Sequence, residues 1–270
     1  MSVNFANVNE IRMRWEEHGE GPAVIFIHGI PTSPLLWRYV LPELRKFRCL
    51  AWEMVGYGDS LPQGENRVLS VARQADYLIE WMDAVDIGEA ILVGHDLGGG
   101  VAQIASVRHR ERVKGLVLVN SICYDSWPIP SVKALQTLAP LVKGLPDVMI
   151  AAIFAVLFVR GHEHLDQARE ALRVHFQYYR QHGAARGLVR QVSSLDVNDT
   201  VAISQQLPSL DLPARLVWGA ADRFQKVAYG ERLAADLGAP LARIETGKHF
   251  VPEDHPQRVV EAVRQVAAAV

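Results

Sequence analysis

An aspartate between two glycines is the residue of this chain that points most directly to chemistry. Asp96 is the middle residue of Gly-His-Asp-Leu-Gly (residues 94–98), which follows an apolar segment, residues 90–93, and precedes a helix-like one, residues 101–108. A tight turn between strand and helix needs glycine at both flanks and projects its middle side chain outward. A carboxylate in that position can attack saturated carbon and form an ester. The alternative is that Asp96 only caps the helix.

Two further residues follow Asp96 in the chain order of a catalytic triad. Asp222 comes after a strand-like segment, residues 214–218, and His249 follows another, residues 241–245. Ligands of α/β sheets bind at the carboxyl ends of the strands, where these side chains would meet Asp96. The order nucleophile, acid, histidine therefore favours catalysis over a helix cap, a loop cap and a surface histidine.

The surrounding sequence indicates the elements that must position these residues. The main strand-like segments are residues 23–27, 49–53, 90–93, 115–119, 214–218 and 241–245. Helix-like segments fall at residues 35–47, 69–85, 101–108 and 256–269. This alternation predicts an α/β fold with a mostly parallel central sheet that is covered by helices on both faces.

The middle of the chain has a different pattern. From about residue 123 to 206 there is no convincing strand, and several prolines break what looks like a series of helices. We predict a helical cap, residues 125–205, laid over the carboxyl edge of the sheet. The core is then made of residues 1–124 and 206–270.

An apolar run inside the predicted cap, residues 148–159, suggests a substrate class. It is shorter than the ~20 residues that a membrane-spanning helix needs. Because a cap roofs the active site, the run indicates an apolar pocket for a small hydrophobic molecule, or else packing between cap and core.

Composition narrows the possible partners. The net charge is −2 with both signs interspersed, which disfavours nucleic acid and anionic membranes as partners. Cys49 and Cys123 have no spacing of a disulfide framework. The first residues show no secretory signal, so we predict a cytoplasmic protein. We expect it to be a monomer or a homodimer. The sequence suggests neither a cofactor nor a metal. His162-Glu163-His164 invites a metal hypothesis, but charged loop residues are the commoner explanation.

Several motifs together resemble the α/β-hydrolase superfamily, and within it the aspartate-nucleophile branch that contains haloalkane dehalogenases, fluoroacetate dehalogenases and epoxide hydrolases. The matching segments are residues 28–33 (His-Gly-Ile-Pro-Thr-Ser) with Trp37-Arg38, residues 56–60 (Gly-Tyr-Gly-Asp-Ser), 94–99, 218–222 (Trp-Gly-Ala-Ala-Asp) and 249–254 (His-Phe-Val-Pro-Glu-Asp). The resemblance implies an α/β-hydrolase fold with Asp96 as nucleophile, Asp222 as acid and His249 as base. It also implies an oxyanion hole made of the backbone N–H groups of Ile30 and Leu97.

These roles predict a reaction in two steps. Asp96 displaces a leaving group and becomes esterified, and water activated by His249 then attacks the ester carbonyl. His249 acts as a base for the water and not for the nucleophile, because the Asp96 carboxylate is already ionised.

The leaving group stays open, because the chain departs from each subgroup of the branch. Many haloalkane dehalogenases hold the halide with a tryptophan after the nucleophile and, in one subgroup, an asparagine in the H-G-x-P motif. This chain has Leu97 and Ile30 there, although Trp127 of the cap could supply an indole N–H. Fluoroacetate dehalogenases carry arginines around the nucleophile turn, where this chain has Leu97 and Gly100.

Epoxide hydrolases protonate the opening oxide with two cap tyrosines, for which this chain offers Tyr124, Tyr178 and Tyr179. Packing is the alternative role for these side chains. The other predicted pocket residues, which belong to the matching motifs, are His28, Trp37 and Phe250. We predict a hydrolase most similar to haloalkane dehalogenases. The alternatives are an epoxide hydrolase and a catalytically silent ligand-binding protein.

Overall fold

A computed structural model of the chain describes residues 2–270 and contains one eight-stranded sheet. The strands are β1 (Ser2–Val8), β2 (Ile11–His18), β3 (Ala23–Ile27), β4 (Arg48–Trp52), β5 (Ala90–His95), β6 (Val113–Val119), β7 (Ala214–Gly219) and β8 (Leu241–Ile244). Their order across the sheet is β1-β2-β4-β3-β5-β6-β7-β8. The pairs β1–β2 and β2–β4 are antiparallel and every other pair is parallel. The predicted mostly parallel sheet is confirmed.

Helices cover both faces of this sheet. The α-helices of residues 2–270 are α1 (Val71–Ala84), α2 (Leu97–Arg108), α3 (Pro130–Thr137), α4 (Ala139–Val142), α5 (Asp147–Gly161), α6 (Leu165–His182), α7 (Ala184–Ser193), α8 (Asn198–Val201), α9 (Val227–Asp236), α10 (Val251–Asp254) and α11 (Pro256–Ala267). Helices α1, α2 and α9 contribute to one core and α11 to the other. The α/β-hydrolase fold predicted from the motifs has this arrangement of layers.

Strand β3 illustrates how the sequence separates the two cores. Ile25 and Ile27 pack in the core on one face, whereas Val24 and Phe26 pack in the core on the other. Successive side chains of a strand point to opposite faces, so a strand between two helical layers must be apolar at every position.

The helix predicted over residues 35–47 is wrong. The segment forms two short 3₁₀ helices, Pro34–Trp37 and Leu41–Glu43. Pro42 has no backbone N–H, and its ring would collide with the preceding turn of a longer α-helix.

Six helices, α3 to α8, follow one another between β6 and β7, and we call them the helical insertion (residues 130–201). Helix α6 is amphipathic: Ala168, Ala171, His175 and Tyr179 are buried at helical spacing. Helix α5 is apolar on most of its surface. Even so, no helix in residues 2–270 has the length and apolarity to cross a membrane.

Candidate active site

Asp96 occupies a strained turn at the junction of β5 and α2. Its backbone has φ 51° and ψ −121°, a conformation that residues other than glycine rarely adopt. The turn is also very tight, because a Cβ atom at Gly98 would lie 2.1 Å from the carbonyl oxygen of Ile27. The chain therefore holds the Asp96 side chain clear of the helix that follows it.

Two backbone N–H groups bind the Asp96 carboxylate. The N–H of Ile30 donates to Oδ2 over 3.1 Å, and the N–H of Leu97 also binds the carboxylate. Gly29 leaves room for this approach, since a Cβ atom there would lie 2.4 Å from Oδ2. Burial raises the pKa of Asp96 above its usual 3.8, although His249 and the two N–H groups act in the opposite direction.

His249 is positioned by the other carboxylate of the predicted triad. Its Nδ1 lies 2.8 Å from Oδ2 of Asp222, while its Nε2 lies 3.9 Å from Oδ1 of Asp96. Burial lowers the pKa of His249, but the charge and hydrogen bond of Asp222 outweigh that effect, and the pKa is raised above 6.5. The structure thus brings Asp96, His249 and Asp222 together at one edge of the sheet.

Asp222 has further partners that the sequence did not reveal. Its Oδ1 accepts the backbone N–H groups of Phe224 at 2.7 Å and Gln225 at 3.1 Å. Its Oδ2 accepts a hydrogen bond from the Asn120 amide at 2.6 Å. Asn120 is the first polar residue after β6, and that position was the only available signal. These bonds fix the carboxylate that orients His249.

A cavity of about 530 Å³ opens between this edge of the sheet and the helical insertion. Asp96, Leu97, Ile30 and His249 line its core side. Apolar side chains line the other side, among them Val132, Leu135, Met149, Ile153, Val156 and Leu157. Four of these six belong to the apolar run 148–159. The arrangement can bind a small apolar molecule against a carboxylate.

Trp127 lines this cavity, but its indole N–H is already occupied. It donates to Oγ1 of Thr200 over 2.7 Å. The Thr200 hydroxyl in turn donates to the backbone oxygen of Tyr124 at 2.6 Å. The hypothesis that Trp127 supplies an N–H to the leaving group is therefore not supported.

None of the three candidate tyrosines is among the described residues that line the cavity, so that prediction is wrong. The Tyr124 hydroxyl donates to Asp236 at 2.5 Å, and the Tyr179 hydroxyl donates to Gln191 at 2.6 Å. Tyr178 lies half-buried near Arg14, and burial raises its pKa to about 12. Each side chain faces a different part of the protein, which the sequence pattern alone could not show.

The predictions for His28, Trp37 and Phe250 as pocket residues also need correction, because all three are buried outside the cavity. His28 Nε2 accepts the backbone N–H of Met54, and Trp37 packs against Phe26. Phe250 lies behind His249, with their ring centroids 5.0 Å apart.

The side chains of His162, Glu163 and His164 have different surroundings and do not form a common site. His162 bonds Glu253 over 2.8 Å, Glu163 bonds His255, and His164 is exposed. Within residues 2–270 no group of three or more histidines, cysteines and acidic residues is arranged to hold a metal ion.

Comparison with known proteins agrees with this fold and its motifs. A family model described as "alpha/beta hydrolase fold" matches residues 22–256. The chain belongs to the α/β-hydrolase fold family.

Its relatives include members of two of the three enzyme classes that the motifs suggest. The chain is 27% identical over 266 residues to haloalkane dehalogenase 2 of Mycobacterium tuberculosis, covering 93% of this chain and 90% of the relative. It is 34% identical over 113 residues to bifunctional epoxide hydrolase 2 of Rattus norvegicus, covering 41% and 20%. The crystal structure of an α/β-hydrolase fold protein from Burkholderia ambifaria matches with a TM-score of 0.88 and 26% identity over 96% of both chains. The resemblance to this branch of the superfamily is confirmed.

Proposed function

We propose that this protein hydrolyses small apolar haloalkanes through an ester formed on Asp96, beneath a cap made of residues 125–205. The observation that carries the proposal is the position of the Asp96 carboxylate. Two backbone N–H groups bind this carboxylate, one of them at Oδ2, and its other oxygen lies near His249 in an apolar cavity. A helix cap would not need this arrangement, nor would a protein that only binds ligands.

In the first step Oδ1 of Asp96 attacks the carbon that bears the halogen. The new C–O bond forms as the carbon–halogen bond breaks, and the halide leaves with the bonding electrons. Oδ2 becomes the carbonyl oxygen of the ester and is already bound by the N–H group of Ile30, while the N–H group of Leu97 also binds the carboxylate. No base is needed at this step.

In the second step water attacks the ester carbonyl carbon. The 3.9 Å between His249 Nε2 and Asp96 Oδ1 is too long for a direct hydrogen bond but within reach of one bridging water. His249 takes a proton from that water, and the developing negative charge falls on Oδ2. The two N–H groups stabilise this charge, and loss of one such donor typically lowers the rate ~10²–10³-fold. As the bond between the carbonyl carbon and the alkyl oxygen breaks, His249 returns its proton to that oxygen and the alcohol leaves. The carboxylic acid formed at Asp96 then loses its proton to solvent, which restores the carboxylate.

The residues that line the cavity favour a halide over an epoxide oxygen as the leaving group. An epoxide oxygen must be protonated as the ring opens, yet none of the tyrosines within residues 2–270 lines the cavity. A halide leaves as a stable anion and needs no proton. The relative that matches across most of this chain is named a haloalkane dehalogenase.

A product assay tests the proposal. Purified protein is incubated with short 1-chloro-, 1-bromo- and 1-iodoalkanes and, separately, with alkyl epoxides, and free halide, alcohol and diol are measured. We expect halide and alcohol in equal amounts, and neither product from freshly purified Asp96→Asn. Diol formation without release of halide from any haloalkane would overturn the halide assignment.

A further inference from the structure

Gln225 is a buried polar side chain whose amide oxygen has no hydrogen-bond partner within residues 2–270. It is 3% exposed and lines the same cavity as Asp96 and His249. Its Oε1 atom is buried and accepts no hydrogen bond from residues 2–270. The oxygen therefore does not fix the orientation of the amide, and a half-turn about the last side-chain bond presents the N–H group in place of the oxygen. Because leaving a buried polar group unpaired is unfavourable, such a group indicates that something else binds there.

The backbone of Gln225 is firmly held. Its N–H donates to Asp222 Oδ1 over 3.1 Å, and its carbonyl oxygen accepts the indole N–H of Trp218 at 2.8 Å. The neighbouring ring of Phe224 packs edge-on against His249. The same carboxylate therefore positions both the His249 imidazole and the Gln225 backbone at the cavity wall.

The other buried N–H donors at the cavity are engaged. The backbone N–H groups of Ile30 and Leu97 bind the Asp96 carboxylate, and the Trp127 indole binds Thr200. Ser131 and Arg160 line the cavity but are exposed residues. Among the described cavity residues that are buried and uncharged, Gln225 alone offers an unengaged side-chain N–H.

We propose that the Gln225 amide N–H group binds the halide as it leaves, so that Gln225 helps to determine which haloalkanes react. This role rests on the proposed function. As the carbon–halogen bond breaks, negative charge grows on a halogen surrounded mainly by apolar side chains. An N–H donor stabilises that charge, and hydrogen bonds to charged groups are among the stronger ones in proteins. The amide carries no charge, so the cavity keeps its affinity for apolar substrates.

Single-turnover kinetics with rapid quenching separate the two steps, since halide release reports esterification and alcohol release reports hydrolysis. In Gln225→Leu we expect halide release from a 1-chloroalkane to slow by about tenfold or more, the effect of losing a hydrogen bond to a charged group. The loss should be smaller for the bromide and smallest for the iodide, because a larger halide holds its charge more diffusely. Hydrolysis of the ester should keep its wild-type rate.

Two variants serve as checks. Gln225→Glu keeps the shape of the side chain but places a carboxylate beside the halide, so it should slow esterification more than Gln225→Leu at neutral pH. It also provides the test if Gln225→Leu does not fold. Gln177→Leu, at an exposed glutamine of α6 that bonds only the backbone of Val174, should behave as wild type.

The outcomes distinguish this inference from the proposed function. If the wild type forms the ester and Gln225→Leu forms it equally fast with an unchanged order of halides, the role of Gln225 is overturned and the proposed function stands. Equal slowing of all halides together with slower hydrolysis of the ester would mean general distortion of the site, and would also overturn it. If the wild type releases no halide from any haloalkane, both proposals fail.

Discussion

Two buried histidine–carboxylate clusters lie next to each other, and Phe250 contacts a histidine of each. In the first, His249 bonds Asp222, and its Nε2 faces Asp96. In the second, Glu253 bonds His162 at 2.8 Å and His175 at 3.2 Å. The ring of Phe250 lies 5.0 Å from that of His249 and 4.5 Å from that of His162. Pairing a histidine with a carboxylate is therefore not what distinguishes the candidate site.

The second cluster, which we call the Glu253 cluster, comprises Glu253, His162, His175 and Arg38. Arg38 bonds Glu253 and reaches Glu170 at 3.2 Å. The Glu253 cluster joins the core to the helical insertion. Each ring nitrogen of its two histidines has a partner within the protein, so none of them faces the cavity. Burial lowers the pKa of His162 to about 4. The two clusters therefore differ in the free Nε2 of His249, which faces the Asp96 carboxylate, and not in burial beside a carboxylate.

Of the variants that compare the two clusters, the one that removes the Asp222 carboxylate should lower turnover the most. Asp222→Asn keeps the shape but removes the charge that orients His249 and favours its protonated form, so we expect turnover to fall by ~10²–10⁴-fold. Steady-state product release measures turnover, and thermal unfolding shows whether the variant is as stable as the wild type. A loss of turnover no larger than that of Glu253→Gln would mean that the two clusters are not functionally different.

Removing the carboxylate of the Glu253 cluster should affect stability instead. Glu253→Gln leaves Arg38 without its buried partner, and breaking a buried ion pair typically costs about 3–5 kcal/mol. Denaturant unfolding should therefore show a large loss of stability, while turnover well below the unfolding temperature should stay within a few-fold of wild type. Loss of turnover in a stably folded Glu253→Gln protein would contradict this division of roles.

The two clusters should also respond to pH in opposite ways. The pKa of His249 is raised in the folded protein, so its contribution to stability is present below 6.5 and is lost as pH rises through its folded pKa. Burial raises the pKa of Glu253, but His175 and Arg38 have the larger, opposite effect, so the pKa is lowered from 4.5. The contribution of Glu253 to stability is therefore present above pH 4.5 and is lost as pH falls through its folded pKa.

Hydrolysis of the ester needs neutral His249, so its rate should fall about tenfold per pH unit below the raised pKa. Single-turnover measurements across pH follow this step, and esterification should keep its rate in the same range. An ester-hydrolysis rate that does not change below pH 6.5 would argue against His249 as the base.

The smallest effect is expected at Trp127. Since its indole N–H bonds Thr200 and not the cavity, Trp127→Phe should change the rate of halide release by only a few-fold. Release of chloride, bromide and iodide in single turnovers measures this. A loss that is greatest for chloride would mean that the indole turns to the leaving group during the reaction.

The sequence predicted the triad because each member lies in a short motif beside a strand end. Asp96, Asp222 and His249 follow β5, β7 and β8, and the parallel sheet brings those ends together. The aromatic pocket residues could not be predicted in this way. The Trp127 indole finds its partner 73 residues away, and the Tyr124 hydroxyl finds its partner 112 residues away. Side-chain direction in the segment between β6 and the helical insertion depends on such distant contacts.

Gln225 was missed for a related reason. The sequence shows that it lies three residues after Asp222, but not that its amide oxygen lacks a partner, because that depends on every group around it. The 3₁₀ turns near Pro42 differ from the predicted helix because the apolar pattern of residues 35–47 favours a helix that the proline within it interrupts.

The mass of the Asp96 peptide in a His249 variant tests covalent catalysis most directly. His249→Gln leaves Asp96 able to attack but removes the base for the second step, so the ester should accumulate. After incubation with a 1-bromoalkane, digestion and mass spectrometry should show the peptide heavier by the alkyl group, with halide released once per active site. An unmodified Asp96 peptide in folded His249→Gln, with a haloalkane that the wild type converts, would contradict the account.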